Sequence, residues 1–226
     1  MGPQSNTLSP PQREIIKFYE DPLEIIWLHC ASQIGWKLQR SHQVFASWNG
    51  VDTLTLGTRD DLDADDHLAQ MILHEICHAL IEGKSSWTQR DWGLENIDEK
   101  HLVNELSCHR LQAALADQVG LRGFFAVTTD WRPYFNVIPK IWFLPQSTVD
   151  LQSWATSFQK SEKEARQLDL DAIRYAQIGM NFLRLEHTWH IHIHEALHRT
   201  EQLMQLITDL ASPRSLWYRD GKPHSH

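Results

Sequence analysis

The sequence predicts a mainly α-helical protein with one small β-hairpin or sheet, an α+β arrangement. Two long stretches, from near Asp98 to Gly120 and from Asp150 to about Leu210, read as helix, the first with apolar residues at helical spacing. A sheet signal lies between them and the N-terminus: Val44–Trp48 and Val51–Leu56, joined by Asn49-Gly50. The third observation is the apolar run Met71–Gly83, which carries two histidines one helical turn apart and closes on glycine.

Residues 1–12 are rich in Pro, Ser and Gln and are expected to be disordered. A single metal-binding domain is expected over 13–212, followed by a C-terminal tail, 213–226. Asp21-Pro22 reads as an N-cap with proline at the first helical position, and Leu23, Ile26, Trp27 and Cys30 continue an amphipathic helix. Asn49-Gly50 is the strongest short hairpin signal, because a two-residue turn needs positive φ at both positions. Asp60, Asp61, Asp63, Asp65 and Asp66 follow. Calcium-loop spacing and its closing glutamate are missing, so they read as carboxylates favouring a helix N-terminus, one of them its cap. That helix is expected from Asp66 to Glu82, with Gly83 as the residue that ends it.

Lys84–Asn96 reads as a loop whose Trp87 and Trp92 cover the core. In the next helix Leu102, Leu106, Leu111, Leu115 and Val119 form the apolar positions. Gly123–Pro145 is aromatic and punctuated by prolines; it reads as a loop covering the core, with a substrate-facing wall as the alternative. The final helical stretch runs through Trp154, Phe158 and a charged patch, Lys160–Arg166, until Pro213 ends it.

A net charge of −8 argues against nucleic acid or an anionic membrane as partner. The three cysteines, Cys30, Cys77 and Cys108, are odd in number and widely spaced, which implies no disulfide framework and fits a reducing cytoplasm. No apolar run reaches membrane-span length, and Met1–Asn6 lacks the charged head and apolar core of a secretion signal, so a cytoplasmic location is expected. Ten tryptophans set a packing requirement, since a buried indole N–H needs an acceptor.

The chemistry concentrates in His74-Glu75-Ile76-Cys77-His78. On a helix both imidazoles reach one ion, and Glu75 stands beside the first of them, where it can take a proton from water. Two imidazoles leave an ion under-ligated. Glu105, one helix downstream, is the preferred third ligand, with Asp98, Glu99 and His101 as rivals. His109, one turn after Glu105, is placed to orient a ligand from behind. A second cluster, His187, His190, His194 and His198, falls near one helical face, and His194 to His198 repeats the five-residue pattern. Arg199 breaks the apolar flank there, so a histidine-rich face is favoured over a second metal site. Contact of His187 or His190 with the cleft is left open.

These residues resemble the zincin superfamily, through His74-Glu75-x-x-His78 and Glu105 in the position of a downstream glutamate ligand, over about residues 66–112. The resemblance implies a metal helix packed on a partner helix, a Zn²⁺ ion and hydrolysis of a peptide bond in a peptide or protein substrate. A longer pattern, His74-Glu75-Ile76-x-His78-x-x-Ile81-x-Gly83-Lys84 followed by Asp91-x-Gly93, resembles elongation factor P hydroxylases. That resemblance implies Fe²⁺ and O₂ instead. Two histidines and a carboxylate suit either ion. A non-catalytic metal-binding protein is the third reading.

Overall fold

The computed structural model describes residues 21–62, 66–94, 101–126, 131–210, 218–219 and 222–223. The expected disordered segment 1–12, Asp63, Asp65, Asp98, Glu99 and Pro213 lie outside the described residues. The fold is mainly helical with a small mixed sheet, as expected.

Helix α1 (Pro22–Gln33) starts as the sequence indicates, with the Asp21 carboxylate accepting from Leu23 N at 2.9 Å. Strands β1 (Lys37–Ser41), β2 (Ala46–Trp48) and β3 (Thr53–Gly57) form a sheet in the order β1-β3-β2. The hairpin β2–β3 is antiparallel, pairing Trp48 with Leu54, whereas β1 runs parallel to β3. Strand β1 carries no apolar alternation and pairs as an edge through its backbone, which is why its side chains do not announce it.

The hairpin turn differs from expectation. Asn49 N donates to Thr53 O at 3.0 Å, so three residues, Gly50 to Asp52, form the loop. Gly50 has φ +77°, but Asn49 is not left-handed. Its side-chain oxygen instead accepts from the N–H groups of Val51, Asp52 and Thr53. An asparagine that folds back on the next three amides replaces the two-residue turn. Gly50 is also required by space, since a Cβ there would sit 3.1 Å from the backbone of Thr88 and Gln89.

Helix α2 (Leu68–Glu82) is the centre of the molecule. It contains no lysine or arginine and is buried nearly all round, the pattern of a helix enclosed by other elements. It packs against α1, α3 (Leu102–Asp117) and α6 (Glu162–Leu185). Its N-cap is the His67 ring, whose Nδ1 accepts from Gln70 N at 3.1 Å, not one of the expected aspartates. His67 is held in that role because its Nε2 also engages Phe124 O at 2.8 Å. At Gly179 of α6 a Cβ would lie 3.0 Å from both Ile81 and Leu111, so the missing side chain lets three helices meet.

The expected helix near Asp98 is described from Leu102, and its apolar positions are buried as read, including Val119 just past its end. Within the aromatic stretch lies a short helix α4 (Arg132–Asn136); Phe125, Tyr134 and Phe135 are buried there. The last stretch divides into α5 (Thr148–Ala155), α6 and α7 (His187–Leu210). The break before α6 is a capping box formed by Ser161 and Glu164 inside the charged patch.

Several indoles find acceptors. Trp27 Nε1 donates to Thr200 Oγ1 at 3.0 Å, joining α1 to α7, and Trp154 donates to Gln146 at 2.6 Å. Trp87 donates to Ala79 O at 2.8 Å, a carbonyl that also accepts the Gly83 N–H at the end of α2. A second core packs Tyr134, Phe135 and Trp154 around the buried ion pair of Arg110 and Asp169. Among the described residues, no helix is long and apolar enough to cross a membrane.

Candidate metal centre

Helix α2 presents His74 and His78 to a cleft of about 250 Å³, and α3 crosses so that Glu105 enters the same space. The two Nε2 atoms are 3.1 Å apart. His78 Nε2 lies 3.2 Å from one Glu105 oxygen, and His74 Nε2 lies 3.6 Å from the other. Ligands about 2.1 Å from a tetrahedral ion stand roughly 3.4 Å from one another. The three donors therefore fit one small divalent cation, and they are the one such group among the described residues.

Electrostatics fit the same reading. Burial lowers the pKa of His74, and the neighbouring His78 lowers it further. Burial alone would also lower His78, but the Glu105 carboxylate overrides it and holds the imidazole up to about 9. Glu105 resists the upward push of burial because the His78, His74 and His109 rings surround it, and its pKa lies well below the usual carboxylate range. Without an ion, a proton on His78 does the work of joining two basic groups.

Glu75 lies in the same cleft, 8% exposed, with one oxygen accepting from Trp92 Nε1 at 3.0 Å. Trp92 reaches it from a tight turn, Arg90–Gly93, in which Asp91 and Trp92 both take positive φ. Asp91 there accepts from Ser47 Oγ and from Trp48 N, each at 2.8 Å, fastening β2 to the cleft. Trp48 and Trp92 stack at 4.6 Å. Two aromatic rings thus fix the wall that carries Glu75's donor.

His109 is buried, stacks on His74 at 5.2 Å and comes within 3.8 Å of Glu105, beyond hydrogen-bond reach. Burial, then His74, pushes its pKa down to about 3, so it stands as a neutral ring. The orienting hydrogen bond expected of it is made by Gln112, which sequence reading missed. Gln112 Oε1 lies 3.0 Å from His74 Nδ1, and its Nε2 donates to Phe125 O at 2.7 Å. That second bond fixes the amide orientation, so Oε1 accepts and His74 carries its proton on Nδ1, leaving Nε2 as a lone-pair donor. The available signal was spacing: Glu105, His109 and Gln112 follow one face of α3.

His101, read as a rival ligand, ends apart from the triad, with its Nε2 buried and without a partner among the described residues. His187, His190, His194 and His198 do not line the cleft; their helix turns Trp189, Ile193 and Leu197 inward instead. The His190 and His194 rings lie 4.3 Å apart at a tilt of 58°, while His198 meets Glu201 at 3.2 Å. The stretch expected to cover the core buries Phe125, Tyr134 and Phe135, and it also contributes Trp131 to the cleft lining. Burial pushes the Cys30 thiol up to about 12 and those of Cys77 and Cys108 well above their ordinary value, so none is a ready nucleophile.

Comparison with protein-family models, with curated proteins and with solved structures finds no match to this chain.

Proposed function

We propose that this chain is a metal-dependent hydrolase that cuts an amide bond in an extended peptide, with His74, His78 and Glu105 holding a divalent ion and Glu75 as general base. The observation that carries the reading is a carboxylate, Glu75, beside three clustered ion ligands in one cleft and oriented by the Trp92 indole. A bound Zn²⁺ would supply a Lewis acid that polarises the carbonyl and makes water easier to deprotonate. Glu75 takes the proton of the attacking water and returns it to the leaving nitrogen. Trp92 holds one carboxylate oxygen, which leaves the other to handle the proton. Gln112 keeps the His74 lone pair turned toward the ligand side.

The cleft also suits a chain. Strand β2 is an outer strand of the sheet, and Phe45 to Trp48 line the cleft. Phe45 O and Asn49 N bond to β3, so the backbone groups of Ala46 point away from the sheet, as alternate residues of an antiparallel pair do. An extended peptide can add to that edge. The test is Glu75→Gln. It should bind Zn²⁺ as the parent does and lose peptide hydrolysis by about a hundredfold or more. Loss of the ion together with activity would remove Glu75 from the proton-transfer role.

An iron-dependent hydroxylase is the second reading. It is favoured by the longer resemblance, because its Asp91 and Gly93 belong to the turn that aims Trp92 into the cleft. Two histidines and one carboxylate are also a common Fe(II) set. Substrate-coupled O₂ consumption with Fe²⁺, inhibited by Zn²⁺, would decide for it.

A further inference from the structure

We propose that Gln70 seats the substrate main chain against α2, accepting a hydrogen bond from a backbone N–H of an extended peptide whose other edge pairs with β2. This rests on the peptide-hydrolase reading and adds a specificity-determining residue to it.

Gln70 sits one turn before His74 on the same face of α2 and lines the same cleft. It is only 6% exposed, and its Oε1 is buried with no hydrogen-bond partner among the described residues. Buried amide oxygens are ordinarily paired, so an unpaired one lining a cleft is an acceptor kept for a ligand. Several other polar groups nearby are engaged, while His78 Nδ1 and both ring nitrogens of His109 also lack hydrogen-bond partners among the described residues. Ser47 Oγ and Trp48 N–H go to Asp91, Trp92 Nε1 goes to Glu75, and His74 Nδ1 goes to Gln112.

The charge of the lining points the same way. Asp66, Glu75, Asp91 and Glu105 contribute carboxylates, and among the described residues no lysine or arginine lines the cleft. The walls therefore carry a negative balance, which favours a ligand that brings N–H groups and carries no anionic side chain beside the reacting bond. An extended chain meets this requirement in a definite way. Its successive residues point their N–H groups to opposite sides. If one faces Ala46 on the β2 edge, the next faces the opposite wall. Gln70 Oε1, on α2, is a buried and unpaired amide acceptor of a residue lining the cleft. The substrate class is thus an extended peptide, neutral or basic around the cleaved bond.

The experiment uses quenched fluorogenic peptides of neutral and basic sequence, with esters in which each backbone N–H in turn is replaced by oxygen. At one position the ester should lower kcat/KM of the Zn²⁺-loaded parent about tenfold or more. In Gln70→Leu the same ester should cost nothing further, while Gln70→Glu keeps the dependence. An equal ester penalty in the parent and in Gln70→Leu at every position overturns the proposal. Binding of the same peptides to Glu75→Gln, read by quenching of the cleft tryptophans, separates the two levels. Ester-sensitive binding lost in Gln70→Leu, without cleavage by the parent, keeps Gln70 and removes the hydrolase. No cleavage and no binding removes both.

Discussion

Titration of the metal-free protein with Zn²⁺ at pH 7 should release close to one proton per ion, and the structure says from where. Burial and then His78 keep His74 neutral by lowering its pKa, and Glu105 is ionised because the surrounding imidazoles lower its own. His109, at about 3, is a neutral ring at pH 7 and releases no imidazolium proton. His78 is protonated, since Glu105 holds it at about 9 against the effect of burial. Ion binding must displace that proton, because a ligand imidazole needs its lone pair. At pH 7 the displacement runs about two pH units uphill, which weakens apparent affinity by roughly a hundredfold, or about 2.7 kcal/mol. Affinity should therefore rise about tenfold per unit between pH 7 and 9 and then level off. The folded pKa lies above the ordinary 6.5, so the stability His78 adds to the metal-free protein is complete below that value and is lost as pH rises through 9. Calorimetry in buffers of different ionisation heat measures the proton count directly. Release of no proton, or an affinity flat from pH 7 to 9, would refute the assignment of the charge to His78.

Two further outcomes are expected. Gln112→Leu should weaken Zn²⁺ binding about 10- to 100-fold while circular dichroism stays that of the parent, because it removes the acceptor that holds the His74 proton on Nδ1; unchanged affinity would mean that α2 alone orients the ring. Asp169→Ala should cost about 3–5 kcal/mol, a melting-point drop of roughly 6–20 °C. It strips the partner from the fully buried Arg110, which otherwise bonds Tyr134 Oη and the carbonyls of Trp142 and Leu144. Pairing Asp169→Leu with Arg110→Met should recover much of the loss, and a single variant melting with the parent would show that water reaches the guanidinium.

Much of the fold was legible because its signals are local. Asp21-Pro22 reports a helix start through one side-chain oxygen and one fixed φ, and α1 begins there. Gly83 ends α2 with φ +74°, the conformation glycine takes without strain. The hairpin was legible in its strands and misread in its turn, because Asn49 had a second use for its side chain that depends on the loop's own closure. Strand β1 was illegible, since a polar edge strand is held by backbone pairing to β3 and leaves no period in its side chains.

By itself the sequence determined that His74 and His78 share a helix face and that Glu75 stands beside them, since a period of 3.6 residues needs no other part of the chain. Only the tertiary structure decided that Glu105 and Gln112 face that pair while His101 and the α7 histidines do not, and that Trp92 and β2 close the cleft. The reason is that α3 and α7 carry polar groups on several faces. Which face turns inward depends on how whole helices cross, at contacts such as Gly179 against Ile81 and Leu111, and no local pattern encodes that choice.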